Sequence, residues 1–305
     1  MKRNPAALRR LGTEKPNPAS ANLDRKSALR IARIINTEDA KVARAVKRTL
    51  PQIAEAINLI AAALSHGGRL IYVGTGTSGR IAALDAAECP PTFNTDPKMV
   101  QFVIAGGVRA LAKAVEANED SPALGRKEIA KKMPGKNDVV VGIAASGRTP
   151  FTVAAVQYAR SHGAQTIAVT SNRNSPLEKA AHLAIVAEVG PEVVAGSSRM
   201  KAGTAQKMIL NMLSTGALTR LGYVYGNLMV NLHLKNTKLK ERGVSILAHA
   251  AGLKDSKARR LLAGNSLPVA LVMAKTRVNR ARAAASLKKA DGDVRQAIKL
   301  TRPKP

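Results

Sequence analysis

Five short runs at 70–73, 100–104, 138–143, 166–170 and 183–186 constrain this chain more than any other feature of it. Each is apolar over most of its length, and helix-patterned stretches separate most of them. A strand with one wet face alternates apolar and polar residues; strands apolar throughout are covered on both faces, as in parallel sheets. Alternation of such strands with helices predicts an α/β fold, a parallel sheet between two helical layers. Helices are expected from about Arg80, over 109–117, over 150–162 and over 204–221. Ahead of the first strand, 21–35 and 37–65 also read as helices. Val42, Val46, Leu50, Ile53, Ile57 and Ile60 recur there at helical spacing. Pro51 breaks or restarts that run. Beyond about Leu239 the strand signals stop, and 244–251, 256–262, 267–276, 280–287 and 293–300 read as short helices. The expected organisation is a polar, proline-broken arm (1–20), a sheet-bearing domain preceded by helices (21–235) and a small helical subdomain (236–305).

The 305 residues carry a formal charge of +29 with aromatic content of 2% and no tryptophan. A charge of that size invites a nucleic-acid reading, but proteins that grip single strands add aromatic stacking platforms. The cations are also spread along the whole chain. Nucleic acid is therefore expected only as a nonspecific polyanion, while the positive field favours anionic substrates. One cysteine, Cys89, excludes an internal disulfide and a cysteine-rich metal site. The five histidines show no ligand spacing, so neither a metal nor an organic cofactor is expected. No run approaches a membrane span. The charged N-terminus lacks the apolar stretch of a secretory signal, so the expected compartment is the cytoplasm.

Two strand-to-helix loops carry chemistry. Gly74-Thr75-Gly76-Thr77-Ser78-Gly79 follows the first strand, and Ala145-Ser146-Gly147-Arg148-Thr149 follows the third. The first spells G-x-G-x-x-G, but a dinucleotide fold wants a carboxylate at the end of the next strand. Here that strand ends in Ala105-Gly106-Gly107. Glycines that admit a ligand to the backbone, free N–H groups at a helix start and the hydroxyls of Thr77, Ser78, Ser146 and Thr149 make both loops phosphate cradles. A third run, GPEVVAGSSRMKAGTAQK at 190–207, packs the hydroxyls of Ser197, Ser198 and Thr204 among Arg199, Lys201 and Lys207. A helix cap needs one hydroxyl; this density suits an anionic, hydroxyl-rich ligand. Acidic residues number only 20, so Glu88 and Glu119, each following a sheet–helix unit, stand out. On residues alone each is equally well a solvated glutamate near a helix end.

Taken together, GGRLIYVGTGTSGR, DAAECPPTF, IAGG, ANED, VVVGIAASGRTPF, GPEVVAGSSRMKAGTAQKMILNMLSTG and GNLMV, with Thr13-Glu14, Asn17 and Ser20, resemble the N-acetylmuramic acid 6-phosphate etherases. These are sugar isomerase (SIS) domain proteins that share the 190–207 signature with glucokinase regulatory proteins. The resemblance spans nearly the whole chain. It implies a SIS-type three-layer sandwich, a homodimer and a phosphorylated amino sugar as partner. It also implies cleavage of a D-lactyl ether by elimination and addition of water. Glu88 falls on the position that protonates the departing lactyl oxygen, and Glu119 on the one that takes the C2 proton. Thr77, Ser78, Ser146, Gly147 and Thr149 would hold the phosphate, with Ser197, Ser198 and Lys201 bordering the pocket.

Val108 stands where many relatives carry a glutamate, Asn231 replaces an aspartate, and Lys235 replaces a small polar residue. None of these touches Glu88 or Glu119. A sugar-phosphate-sensing regulator or an aldose–ketose phosphosugar isomerase could use the same cradle; both glutamates and a single SIS unit favour the etherase.

Overall fold

The structure is a computed structural model that describes residues 11–113, 115, 118–232, 234 and 236–301. Residues 1–10 of the expected arm, His233, Lys235 and part of the helix expected at 109–117 lie outside them. The chain divides into two compact units, Met1–Ala87 with Pro97–Ser214, and Glu88–Asp96 with Thr215–Pro305.

In the first unit, residues 12–25 form three 3-10 turns where a helix from 21 was expected. Asn22, in the left-handed region at φ 53°, interrupts any helix there. Helix α1 (Ala28–Lys47) starts at the Ser27 cap, whose side chain accepts from the Arg30 N–H. The next break falls at residues 48 and 49 rather than 36. Helix α2 (Leu50–Ser65) restarts with Pro51 in its first turn, where a missing N–H costs nothing.

Then follow β1 (Leu70–Gly74), α3 (Gly76–Phe93), β2 (Val100–Ile104), α4 (Pro122–Ala130), β3 (Val139–Ile143), α5 (Pro150–Ser161), β4 (Gln165–Thr170), α6 (Pro176–Ala180), β5 (Leu183–Val186) and α7 (Lys201–Arg220). Two sequence readings change here. Helix α3 begins at Gly76 and runs through Pro90 and Pro91, so Glu88 lies inside it rather than after it. Both prolines sit in its last turns, and Asn94 at φ 56° follows it. Of the helix expected at 109–117, the described part shows only a 3-10 turn, Val108–Leu111. The crossover helix is instead α4, started by the cap Ser121 and Pro122.

The five strands are parallel in the order β2-β1-β3-β4-β5. β1 and β3 are buried at every residue, which explains their unbroken apolar sequence. Ile71, Val73 and Val140 pack on Ile129 of α4 and on Phe151, Ala155 and Ala159 of α5. In this order the chain leaves β1 for one edge of the sheet and β3 for the other. The two strands therefore flank the switch point, where open parallel sheets leave a crevice at their carboxyl ends. Both glycine- and hydroxyl-bearing loops, 74–79 and 145–149, emerge there.

The second unit holds a two-stranded antiparallel hairpin, β6 (Val224–Tyr225) with β7 (Leu228–Met229). It adds α8 (Thr237–Ala251), α9 (Asp255–Leu262), α10 (Leu267–Thr276), α11 (Arg280–Lys289) and α12 (Val294–Thr301). Its core is aliphatic: Val230, Leu247, Leu267, Leu271, Ala283 and Ala297 are among the buried side chains. The five tail helices were all legible, four of them with starts within one residue. The first begins seven residues earlier than expected, because its cap Asn236, which accepts from the Leu239 N–H, and its polar first turns lie outside the apolar pattern. Among the described residues no helix is long and apolar enough to cross a membrane.

Candidate functional site

The first cradle depends on a close approach of α3 to β1. A Cβ placed on Gly79 would lie 2.5 Å from Ile104 Cγ1 and 3.0 Å from the Gly74 carbonyl. Only glycine lets the helix start so near the strand end, with its free N–H groups over the crevice. Thr77 is half-buried at this start, and the buried Ser78 hydroxyl donates to Gln206 Oε1 at 3.0 Å.

The second cradle turns at Gly147, φ 65°. A Cβ there would come within 2.3 Å of Ser175 Oγ and 2.7 Å of Thr170 Oγ1. Ser146 Oγ accepts from the Arg148 N–H at 3.2 Å, and α5 begins directly afterwards with Pro150 in its first turn. Gly147→Ala combines a strained φ with a collision in a packed layer. Unfolding titrations should show a loss of about 1–3 kcal/mol, with binding of phosphorylated sugars weakened further because the cradle itself shifts.

Glu119 ties the two cradles together. Its backbone carbonyl accepts from the Phe151 N–H in the first turn of α5 at 3.1 Å. Its carboxylate accepts from Thr75 Oγ1, at the end of β1, at 3.1 Å. The acid is thereby held at the switch point although no regular element carries it.

The N-terminal segment supplies a wall that the reading as an arm did not foresee. Gly12 N–H donates to Asn172 Oδ1 at 3.0 Å, and Asn172 Nδ2 donates to Thr13 Oγ1 at 3.2 Å. The Gly196 N–H, in the signature loop, reaches the Thr13 carbonyl at 3.3 Å. Further along, Asn17 Nδ2 donates to the Pro191 carbonyl and Ser20 Oγ to that of Val193. These bonds place Glu14 beside the 196–198 turn.

Together these parts enclose a cavity of about 530 Å³. Of the predicted site residues, Thr77, Ser78, Ser146, Thr149, Ser198 and Glu119 line it. Gly147 shapes the loop without lining it. Ser197 is half-buried in the same turn as Ser198 but does not face in. Glu88 is exposed on α3 and is not among the lining residues. Glu14, Arg80, Arg148 and Thr75 line the cavity without having been singled out. Arg148 and Thr75 lay within the cradle runs, where only Thr77, Ser78, Ser146, Gly147 and Thr149 were given a role. Glu14 stood in the Thr13-Glu14 pair of the family resemblance, where it was given no role.

Lys201 is elsewhere. Its side chain is 1% exposed and its Nζ donates to Glu38 Oε2 on α1 at 2.6 Å. Lys41 contacts the other oxygen of the same carboxylate. Burial alone would raise the Glu38 pKa, but hydrogen bonds from Lys201, Lys41 and Asn17 outweigh it and hold it at about 2. The fully buried Glu192 caps α7, accepting from the Lys201 and Ala202 N–H groups at 2.9 Å each. Burial nevertheless pushes its pKa up. The start of α7, and with it the turn bearing Ser198, is fixed by these buried carboxylates rather than offered to a ligand.

A phosphate in this cavity would meet hydroxyls and helix-start N–H groups from both sides of the switch point. A donor to a charged group is worth about 1.5–3 kcal/mol. Ser78→Ala and Ser146→Ala should each weaken N-acetylglucosamine 6-phosphate about tenfold to a hundredfold and leave the unphosphorylated sugar nearly unchanged. Calorimetry with both ligands checks this; equal losses would mean that the hydroxyls shape the cavity without holding phosphate.

Comparison with known proteins finds family models and relatives along most of the chain. The profile of the glucokinase regulatory protein N-terminal SIS domain matches residues 52–160, and that of the SIS domain matches residues 127–216. Over 297 residues the chain is 48% identical to an N-acetylmuramic acid 6-phosphate etherase of Photorhabdus laumondii, covering 97% of this chain and 99% of the relative. An etherase of Symbiobacterium thermophilum is 54% identical over 268 residues, 87% of this chain and 89% of its own length. Etherase 2 of Vibrio parahaemolyticus is 52% identical over 255 residues, 84% and 85% of the two chains.

Proposed function

The chain belongs to the N-acetylmuramic acid 6-phosphate etherase family, carbon–oxygen lyases, and from that premise we propose how its cavity performs the reaction. The substrate is N-acetylmuramic acid 6-phosphate in its open-chain aldehyde form. A base removes the C2 proton, whose acidity the C1 aldehyde provides. The C3–O bond then breaks, its electron pair leaving with the lactyl oxygen, which must be protonated to depart as D-lactate. Water adds to C3 of the unsaturated aldehyde, C2 regains a proton, and N-acetylglucosamine 6-phosphate results. Atoms and electrons balance through proton transfers alone, so the scheme calls on no metal or organic cofactor.

The observation that carries this reading is the convergence of two hydroxyl-bearing helix starts and Glu119 on one cavity at the switch point. The phosphate is held by Thr77, Ser78, Ser146 and Thr149, with Gly147 setting the turn and Ser198 also lining the cavity. Glu119 is the base. For the acid the family resemblance favours Glu88, whereas the cavity itself offers Glu14, the other carboxylate on its wall among the described residues. Ser197 and Lys201 contribute through the turn they anchor. Family membership also supports a cytoplasmic homodimer acting in amino-sugar recycling. A regulatory or isomerase role has less support, since an etherase relative aligns over 97% of this chain.

Incubation of the purified chain with the muramic acid phosphate should release D-lactate and N-acetylglucosamine 6-phosphate in equal amounts. Isomerisation without lactate would overturn the reading. Glu88→Gln and Glu14→Gln then separate the two candidate acids. The variant that loses lactate release but still exchanges the C2 proton with solvent marks the acid, because removing a group needed only at C3 leaves the earlier step intact.

A further inference from the structure

Among the described residues two cations line the cavity, Arg80 and Arg148. Arg80 is occupied: its Nε donates to the Leu111 carbonyl at 3.2 Å and a terminal nitrogen to that of Lys113 at 3.0 Å. Lys201, the other cation the sequence brought near, is bound to Glu38. Arg148 differs from both. Its Nε is buried without a hydrogen-bond partner, and among the described residues its side chain forms no ion pair. Only its backbone N–H is engaged, by Ser146 Oγ. A buried guanidinium donor left unpaired is costly, and at a cavity wall the acceptor that resolves it is an anion.

The reaction proposed above, on which this inference rests, brings two anions into the cavity. The 6-phosphate is served by four hydroxyls and the N–H groups of two helix starts. The lactyl carboxylate has no such neutral donors assigned to it, and Arg148 is the cavity cation with donors to spare. We infer that Arg148 holds the lactyl carboxylate and so selects a C3 ether that bears one. The planar guanidinium fork suits a carboxylate better than an ammonium does. The same contact draws charge toward the departing group and away from the phosphate cradles.

The test compares ligands on the full-length chain and on Arg148→Met and Arg148→Lys. The expected result for Arg148→Met is a KM for N-acetylmuramic acid 6-phosphate raised about tenfold to a hundredfold. Binding of N-acetylglucosamine 6-phosphate, which has the phosphate but no lactyl group, should stay within about twofold, which also reports an intact fold. Arg148→Lys should fall between, since it keeps the charge and loses the fork. The lactamide analogue should be a poor substrate for the unaltered protein and no poorer for Arg148→Met. Equal weakening of both sugar phosphates would place Arg148 on the phosphate and overturn the inference, as would no weakening of either. If the unaltered chain releases no lactate, the etherase reading fails first, and that failure is separately visible.

Discussion

Replacing Glu119 with glutamine should lower D-lactate release by about two orders of magnitude or more and stop exchange of the C2 proton with deuterium from solvent. A positioned base contributes on the order of a hundred- to ten-thousandfold, and an amide cannot take the proton. The substitution leaves the scaffold in place. The Glu119 backbone carbonyl still caps the start of α5 through the Phe151 N–H, and a glutamine oxygen can still accept from Thr75. Circular dichroism and N-acetylglucosamine 6-phosphate binding should therefore be nearly unchanged. Exchange that persists in Glu119→Gln while lactate release is lost would move Glu119 from the C2 step to the C3 step.

The largest effect on stability is expected at Glu38. Lys201 is buried at 1% side-chain exposure and Glu38 at 3%. Glu38→Gln leaves the Lys201 ammonium in the interior without its counter-charge, a change that costs about 3–5 kcal/mol. Lys201→Met should cost less, because Lys41 still faces the Glu38 carboxylate. Joint replacement of Glu38 and Lys201 by apolar residues should recover part of the loss. Acid titration offers a second view of the pair. The Glu38 carboxyl is lowered from the usual 4.5 to about 2 in the folded chain. The stability it contributes is complete above 4.5 and is lost as pH falls from there toward 2. Urea midpoints measured across that range should fall more steeply for the unaltered protein than for Glu38→Gln. Identical acid sensitivity would show that the pair contributes nothing.

How much of this could be read from the sequence depended on distance along the chain. The strands were visible because burial on both faces demands apolar residues at every position, as in β1 and β3. The cradles were visible because glycine, hydroxyl and helix start are local features. Strand order was not, since it depends on where each crossover packs, and without it the β1/β3 switch point has no location. Lys201 was misread for the same reason. A lysine in a hydroxyl-rich loop suggests an anion, but the carboxylate that captures it belongs to Glu38, 163 residues away. Glu14 reaches the cavity because its neighbours Gly12 and Thr13 bond Asn172 and Gly196, contacts that no local pattern announces. The helix containing Glu88 was cut short because Pro90-Pro91 reads as a stop. Each proline there forgoes its N–H bond to the preceding turn, yet the helix ends only at Phe93.

The most direct test of the account is turnover of N-acetylmuramic acid 6-phosphate in ¹⁸O-labelled water, with mass analysis of both products. Elimination at C3 followed by addition of water predicts label at the C3 hydroxyl of N-acetylglucosamine 6-phosphate and none in the D-lactate hydroxyl, which keeps the ether oxygen. Label in the lactate hydroxyl and none at C3 would place the broken bond on the lactyl side and contradict the chemistry assigned to this cavity.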